Sequence, residues 1–221
     1  MAPIDKNTPA QELVHNYAPH IKDKVILTTG VSPGSLGAYF MQSIASASPK
    51  CLILAGRNRS KIQATADEIK AAHPSVQTRL LEIDLASLAS VRTAAAQVNS
   101  WGDIPAIDVV VNNAGIMATE YALSGEGVEA QFATNHLGPF LFTNLIMGKV
   151  LASSRPRVVM VASDGHRLSG VRFGDWNFDV SCLFFHPRAG LTRRLVRMAR
   201  HTIDGLHTGR PRRRICSWRY L

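Results

Sequence analysis

Residues 24–37 read Lys-Val-Ile-Leu-Thr-Thr-Gly-Val-Ser-Pro-Gly-Ser-Leu-Gly, and their types and order suit them to hold a phosphate. Val25, Ile26 and Leu27 form a short apolar run, the pattern of a strand buried on both faces. Glycines follow at 30, 34 and 37, and Ala-Tyr-Phe-Met at 38–41 opens a helical pattern. Glycine lets backbone approach a ligand closely, and a helix N-terminus offers unpaired N–H groups and a partial positive charge. Strand, glycine turn and helix start, in that order, form a site for a pyrophosphate.

The spacing Thr29-Gly30, three residues, Gly34 resembles the Thr-Gly-x-x-x-Gly opening of the short-chain dehydrogenases/reductases. That family usually carries its third glycine two residues after the second. Here Leu36 holds that place and Gly37 comes one later, so either the turn is one residue longer or Gly37 has a different job. Ser32-Pro-Gly-Ser-Leu-Gly37 resembles a variant associated with fungal members. Asn112-Asn113-Ala114-Gly115, directly after an apolar run, reproduces the family's Asn-Asn-Ala-Gly segment. Small residues there leave room for a cofactor, and the amides lock the central sheet. Asn135-His-Leu-Gly-Pro-Phe140, Asp164-Gly-His166 and Phe173-Gly-Asp-Trp-Asn-Phe178 resemble retinol-dehydrogenase-like members.

The resemblance implies a nicotinamide dinucleotide as cofactor and hydride transfer on a small hydrophobic alcohol or carbonyl. It assigns the glycine turn (Thr29, Gly30, Ser32, Gly34, Leu36, Gly37) and Asn112, Asn113, Ala114 and Gly115 to the cofactor. Asp84 with Leu85 corresponds to the adenine contact, and Asp84 is equally suited to cap the helix that follows. Where NAD-preferring sites place an acid at the end of the second strand, this chain has Gly56 followed by Arg57. A guanidinium fork suits a phosphate and Lys61 adds charge one helical turn on, which favours NADP. By the same resemblance Asn135 is the helix asparagine that holds a water in the proton relay, and Ser163 orients the substrate oxygen.

These residues need a frame. Apolar runs at 24–29, 51–55, 79–84, 107–111 and 157–162 read as buried strands. Amphipathic stretches at 36–47, 59–72 and 85–98, and one long helix over 126–153, alternate with them. The pattern predicts an α/β fold, a Rossmann-like doubly wound parallel sheet with helices on both faces. Residues 1–20 form a lead-in with a helix over 9–18, 21–185 the dinucleotide-binding domain, and 186–221 a tail of different composition.

The formal net charge is +9. Residues 1–185 are balanced at 15 Lys+Arg and 15 Asp+Glu, whereas 186–221 hold 10 Arg, no Lys and one acid, Asp204. Arginine without lysine, scattered Pro, Trp and His, and little periodicity suggest translation in a shifted frame or through a retained intron. The rival is a genuine basic tail, with Leu191, Leu195 and Met198 on one face flanked by arginines, able to meet an anionic membrane or nucleic acid. For the domain itself no nucleic acid is expected as a partner. Cys51, Cys182 and Cys216 are far apart and odd in number, so neither a disulfide framework nor a metal pattern is expected. No apolar run reaches the length of a membrane span and no secretory signal is visible, so the expected compartment is the cytoplasm.

One family element is missing. The resemblance calls for a tyrosine acid with a lysine four residues later, the lysine lowering the phenol pKa. The only tyrosine after Ser163 is Tyr220, and the last lysine is Lys149. The expected chain is therefore a C-terminally truncated or frame-shifted member, impaired as an enzyme, with the family's homodimer disfavoured because its interface helix is incomplete. A non-catalytic nucleotide-binding or scaffold protein is the alternative.

Overall fold

The computed structural model describes residues 4–5, 7–168 and 170–178. The chain alternates as the sequence pattern requires. Helix α1 (Ala10–Ile21) leads into β1 (Val25–Thr29), α2 (Leu36–Ala45), β2 (Cys51–Gly56), α3 (Arg59–Ala72) and β3 (Gln77–Glu82). Then come α4 (Leu88–Ser100), β4 (Val109–Asn112), α5 (Ala130–Phe132), α6 (Gly138–Leu145), α7 (Met147–Leu151) and β5 (Arg157–Met160). The five strands pair in parallel in the order β3-β2-β1-β4-β5. This is the doubly wound Rossmann-like architecture that the alternation predicts.

The double-sided apolar runs explain why β1 and β2 are central. Leu27, Ile53, Ala55 and Leu81 face one core with Val91, Ala95 and Val98 of α4, Phe142 of α6 and Ile146. Ile26, Leu52 and Leu54 face the other with Met41, Ile44, Ile62, Ala66 and Ile69 of α2 and α3. Adjacent residues of one strand thus serve opposite cores. Each fully buried Leu or Ile contributes about 1.5–3 kcal/mol relative to leaving it in water.

Short polar side chains start the helices. Ser35 caps α2 by accepting the Ala38 N–H, Asn58 caps α3 through the Lys61 N–H, and Ser87 caps α4 through the Ser90 N–H. The cap of α4 corrects one expectation. The helix begins at Leu88 rather than at 85, and Asp84 is not its cap. Instead Asp84 Oδ1 accepts the Ala86 N–H at 3.0 Å and folds a tight Asx turn before it.

The long helix expected over 126–153 is also corrected. Residues 123–129 form a loop closed by a Leu123–Glu129 bridge, and helix starts only at Ala130. It widens into a π-helical turn over Ala133–Leu137 before α6, and it breaks again at Ile146. The physical reason for the π turn is Pro139. It has no N–H to give to the Asn135 carbonyl four residues earlier, so the backbone shifts to wider pairing, with the Gly138 N–H reaching Ala133 O. Residues 179–221, which include Cys182 and the whole tail with Cys216 and Tyr220, lie outside the described residues.

Candidate active site

All five strands are parallel, so the segments that follow them meet at one edge of the sheet. The chain leaves β1 toward one face and β4 toward the other, which opens a crevice between them at the carboxyl edge. The glycine turn, Arg57, Asp84, Asn113–Gly115 and Ser163 all follow strand ends on this edge, and Asn112 closes β4.

The crevice floor is a lock between β1 and β4. Thr29 Oγ1 accepts the N–H groups of Asn113 and Ala114 at 3.1 and 3.0 Å. The Asn113 amide returns bonds to Thr29 O at 2.9 Å and Gly30 O at 3.2 Å. Thr29 and Asn113 therefore act through the backbone they hold, their side chains being spent on each other's strand. Asn112 is buried and donates to Thr143 Oγ1 at 2.9 Å, tying β4 to α6.

The three glycines have three different jobs. Gly30 sits at φ +76° with Ala114 Cα only 2.8 Å from where a Cβ would be, so both conformation and space exclude a side chain. Gly34 sits at φ +75° with nothing within 4 Å of a Cβ position, so the backbone there faces open space. Gly37 is buried in the first turn of α2, where a Cβ would meet Asn113 Nδ2 and Gly30 O at 2.6 Å. Gly37 thus takes the second of the two readings above and serves packing, letting α2 press onto the lock. Leu36, in the place of the family's glycine, is 80% exposed. Ser35 completes the turn by donating to Gly30 O at 3.0 Å, and Thr65 of α3 donates to Val31 O at 2.8 Å. Ser32 lies half-buried between them. The open space at Gly34 beside the N-terminus of α2 fits a pyrophosphate.

At the end of β2 a Cβ on Gly56 would meet the buried Ile62 Cγ2 at 2.8 Å. The close packing of α3 explains why no acid stands there. Arg57 and Lys61 are exposed at the start of α3, and neither is ion-paired to another described residue. Two cations at a helix N-terminus suit a phosphate that the helix dipole also favours. Leu85 is buried behind the Asp84 turn.

Asn135 stands in the π turn. Its Oδ1 accepts the Ile116 N–H and its Nδ2 donates to Ile116 O, both at 2.8 Å. It therefore fastens the residue after Gly115, whose own Cβ position is 3.2 Å from Asn135 Oδ1. Ser163 follows β5, exposed, with its Oγ accepting the Gly165 N–H at 3.2 Å. His166 stands three residues past Ser163 and is the one candidate by sequence to replace the missing tyrosine acid; its side chain lies outside the described residues. Around this edge Met117, Leu123, Val171, Phe173 and Trp176 present exposed apolar surface from the loops after β4 and β5.

Several residues of the site carried no assignment in the sequence. Glu129 is buried and caps α5 with both carboxylate oxygens, on the Gln131 and Phe132 N–H groups at 3.0 and 2.8 Å. Gln131 Oε1 accepts the Ala118 N–H at 3.0 Å. Asn177 joins this group from the loop after β5, accepting the Glu129 N–H at 2.6 Å. Pro139 was the visible signal for the π turn. Glu129 had none, because a buried polar residue on a loop looks like a solvated one in sequence, and Asn177 lies in the Phe173–Phe178 segment, whose resemblance to a family motif says nothing of its partners. Among the described residues no group of three His, Cys, Asp or Glu is placed to hold a metal ion, and no helix is long and apolar enough to cross a membrane.

Comparison with known proteins agrees with this geometry. The short chain dehydrogenase family pattern matches residues 24–173. An oxidoreductase of Fusarium equiseti, fscI, is 35% identical over 180 residues, which cover 79% of this chain and 69% of that protein. Human retinol dehydrogenase 13 is 33% identical over 158 residues, covering 72% of this chain and 46% of the relative. A solved structure of an uncharacterised protein from Mycobacterium paratuberculosis superposes with a TM-score of 0.59 at 33% identity, covering 73% of this chain and 55% of that one.

Proposed function

Since this chain belongs to the short-chain dehydrogenase family of oxidoreductases, we propose that it binds NADP(H) and is built for hydride transfer on a hydrophobic alcohol or carbonyl, a reaction impaired in these 221 residues. The carrying observation is the lock of Thr29, Gly30, Gly37 and Asn113, which leaves Gly34 facing open space at a helix N-terminus. In this reading the turn from Gly30 to Ser35 and the first N–H groups of α2 hold the pyrophosphate. Arg57 and Lys61 hold the 2′-phosphate, and Asp84 and Leu85 border the adenine. Ala114 and Gly115 keep the crevice floor free of bulk. Bound there, the dinucleotide supplies or accepts the hydride.

The chain's own residues then orient and shield. Ser163 bonds the substrate oxygen. The Asn135 carbonyl, which Pro139 cannot engage, holds the water of the proton relay. The apolar rim of Met117, Leu123 and Phe173 favours a hydrophobic substrate over a charged one. What the sequence lacks is the positioned acid and the lysine beside it, and such an acid contributes about 10²–10⁴-fold. Burial pushes the thiol of the free Cys51 up to about 11, so it stays protonated at neutral pH and takes no part in the chemistry.

The test is titration of the full chain with NADPH and NADH, for the wild type and Arg57→Ala. A charge-assisted bond to the 2′-phosphate is worth about 1.5–3 kcal/mol, so NADPH should bind roughly ten-fold or more tighter than NADH, and Arg57→Ala should erase the difference. Equal wild-type affinities overturn the NADP assignment. Turnover of hydrophobic ketones and aldehydes should be near background. Robust turnover that survives His166→Ala would show a proton donor outside the set named here and overturn the impaired reading.

A further inference from the structure

We propose that Asn177 is a positioning residue that clamps the loop after β5 onto the loop after β4 and so fixes the mouth of the site. The proposal rests on the functional reading above for what the mouth admits, but its geometry stands independently.

Asn177 is 8% exposed, whereas Phe173 on the same short segment is 85% exposed. Three of its polar groups converge on one loop. Its Oδ1 accepts the Glu129 N–H at 2.6 Å, its Nδ2 donates to Gly127 O at 3.1 Å, and its backbone carbonyl accepts the Tyr121 hydroxyl at 3.1 Å. These partners lie some fifty residues earlier in the chain, so the bonds join two strand-end loops rather than shape a local turn. Beside it, the Trp176 ring packs 5.9 Å from that of Phe132 in α5.

The clamped loop is itself wired to the crevice. Glu129, whose N–H Asn177 accepts, caps α5. The helix it starts carries Gln131 and Asn135, which hold Ala118 and Ile116, and these follow Gly115 directly. Next to the bonded Gly127, Glu126 accepts the Leu88 N–H at 2.7 Å, at the start of α4 and just beyond the Asp84 turn. One buried amide therefore ties together the segment that would meet the nicotinamide, the helix of Asn135 and the loop that carries Ser163. An asparagine that only filled space could meet its amide's needs within its own segment, whereas Asn177 meets them on a different loop. Buried amides without partners are costly, so the three bonds hold each other in place.

The experiment compares the full chain with Asn177→Ala and Tyr121→Phe by hydrogen exchange of peptides over 116–131 and by NADPH titration. Losing both side-chain bonds should speed exchange in 116–131 by about ten-fold, and Tyr121→Phe should do so by about three-fold. The amides of β1 and β2 should keep their wild-type rates. NADPH affinity should fall about five-fold in Asn177→Ala, and saturating NADPH should restore protection of 116–131. Unchanged exchange in 116–131 overturns the clamp, and so does equal acceleration in β1 and β2, which would mark a general loss of stability. If Asn177→Ala does not fold, Tyr121→Phe decides alone, since it keeps the ring packing and removes one bond. If the wild type binds no NADPH, the cofactor reading fails while exchange still judges the clamp.

Discussion

β1 and β5 are both apolar on both faces, and the molecule treats them oppositely. Val25, Ile26 and Leu27 of β1 are buried, whereas Val158, Val159 and Met160 of β5 are 41%, 43% and 54% exposed. The difference lies in their neighbours. β1 pairs with β2 and β4 and is covered by helices on both faces. β5 pairs with β4, and among the described residues no other strand meets it. A double-sided apolar run states what a strand requires, but only distant elements can supply it. The two strands therefore differ in energetic weight despite similar composition.

The sharpest way to break this comparison is to shorten one side chain in each strand. Leu27→Ala empties a fully buried site between strands and should cost about 2–5 kcal/mol. Val159→Ala removes surface that water already reaches and should cost under about 1 kcal/mol. Urea unfolding at constant slope reads both. Equal losses would show that β5 is buried in solution and that the contrast is false.

The same contrast bears on what the sequence could show. The strands were legible within about two residues, because each is a run of apolar residues between breaks, and Arg59–Ala72 was legible to the residue, because Asn58 caps it and Ile62, Ala66 and Ile69 form its buried stripe. The placement of the glycine turn and of Asn112–Gly115 at strand ends was legible, because each comes at the close of an apolar run. The start of α4 was not, since Asp84 and Ser87 are both good caps and only Ser87's distance to the Ser90 N–H decides. The break of the long helix was not, because its apolar periodicity runs on through Pro139. The role of Gly37 was not, because the close approach of Asn113 is a contact between residues far apart in sequence. Asn177 lies in a segment that resembles a family motif, yet its bonds to Gly127 and Glu129 exist only once two loops meet.

A smaller effect is expected where the two regions are joined. Asp108 precedes β4, and its Oδ2 accepts the Val25 N–H at 2.9 Å, at the first residue of β1. Its Oδ1 takes Ser153 Oγ at 2.7 Å and Lys24 Nζ at 3.4 Å, and its backbone carbonyl accepts the Arg157 N–H at the start of β5. Burial pushes this carboxyl up, but the Val25 N–H, the Ser153 hydroxyl and the Lys24 ammonium outweigh it and hold it below the usual carboxylate range. A depressed folded pKa means the stabilisation is fully present above the unfolded value of about 3.9 and is lost as pH falls through the folded value. The wild type should therefore lose stability as the pH drops below about 4. Asp108→Asn, which keeps the shape without the charge, should be weaker by about 1.5 kcal/mol at pH 7 and flatter in acid. An acid limb of unchanged steepness in Asp108→Asn would assign the acid sensitivity to other carboxylates and leave the junction with no electrostatic part.

The smallest effect in stability is the one that most sharpens the contrast. If β5 is exposed in solution as it is in the structure, a charge in its middle should be tolerated. Val159→Lys places an ammonium where the native side chain is 43% exposed. A four-carbon stem can lie along the neighbouring Val111 strand while its head stays in water. The expected change in unfolding free energy is within about ±0.5 kcal/mol, the range of ordinary surface substitutions. A second consequence concerns association. An apolar strand with an unpaired edge is a template for another chain, and a lysine on it is a common natural block. Soluble yield and the monodisperse fraction by light scattering should therefore rise in Val159→Lys while the melting temperature stays put. The same substitution in β1, Leu27→Lys, should leave no folded protein, because a charge there has neither water nor a partner. If Val159→Lys instead behaves like Leu27→Lys, β5 is covered in solution, the contrast between the strands disappears, and whatever covers β5 belongs to the fold.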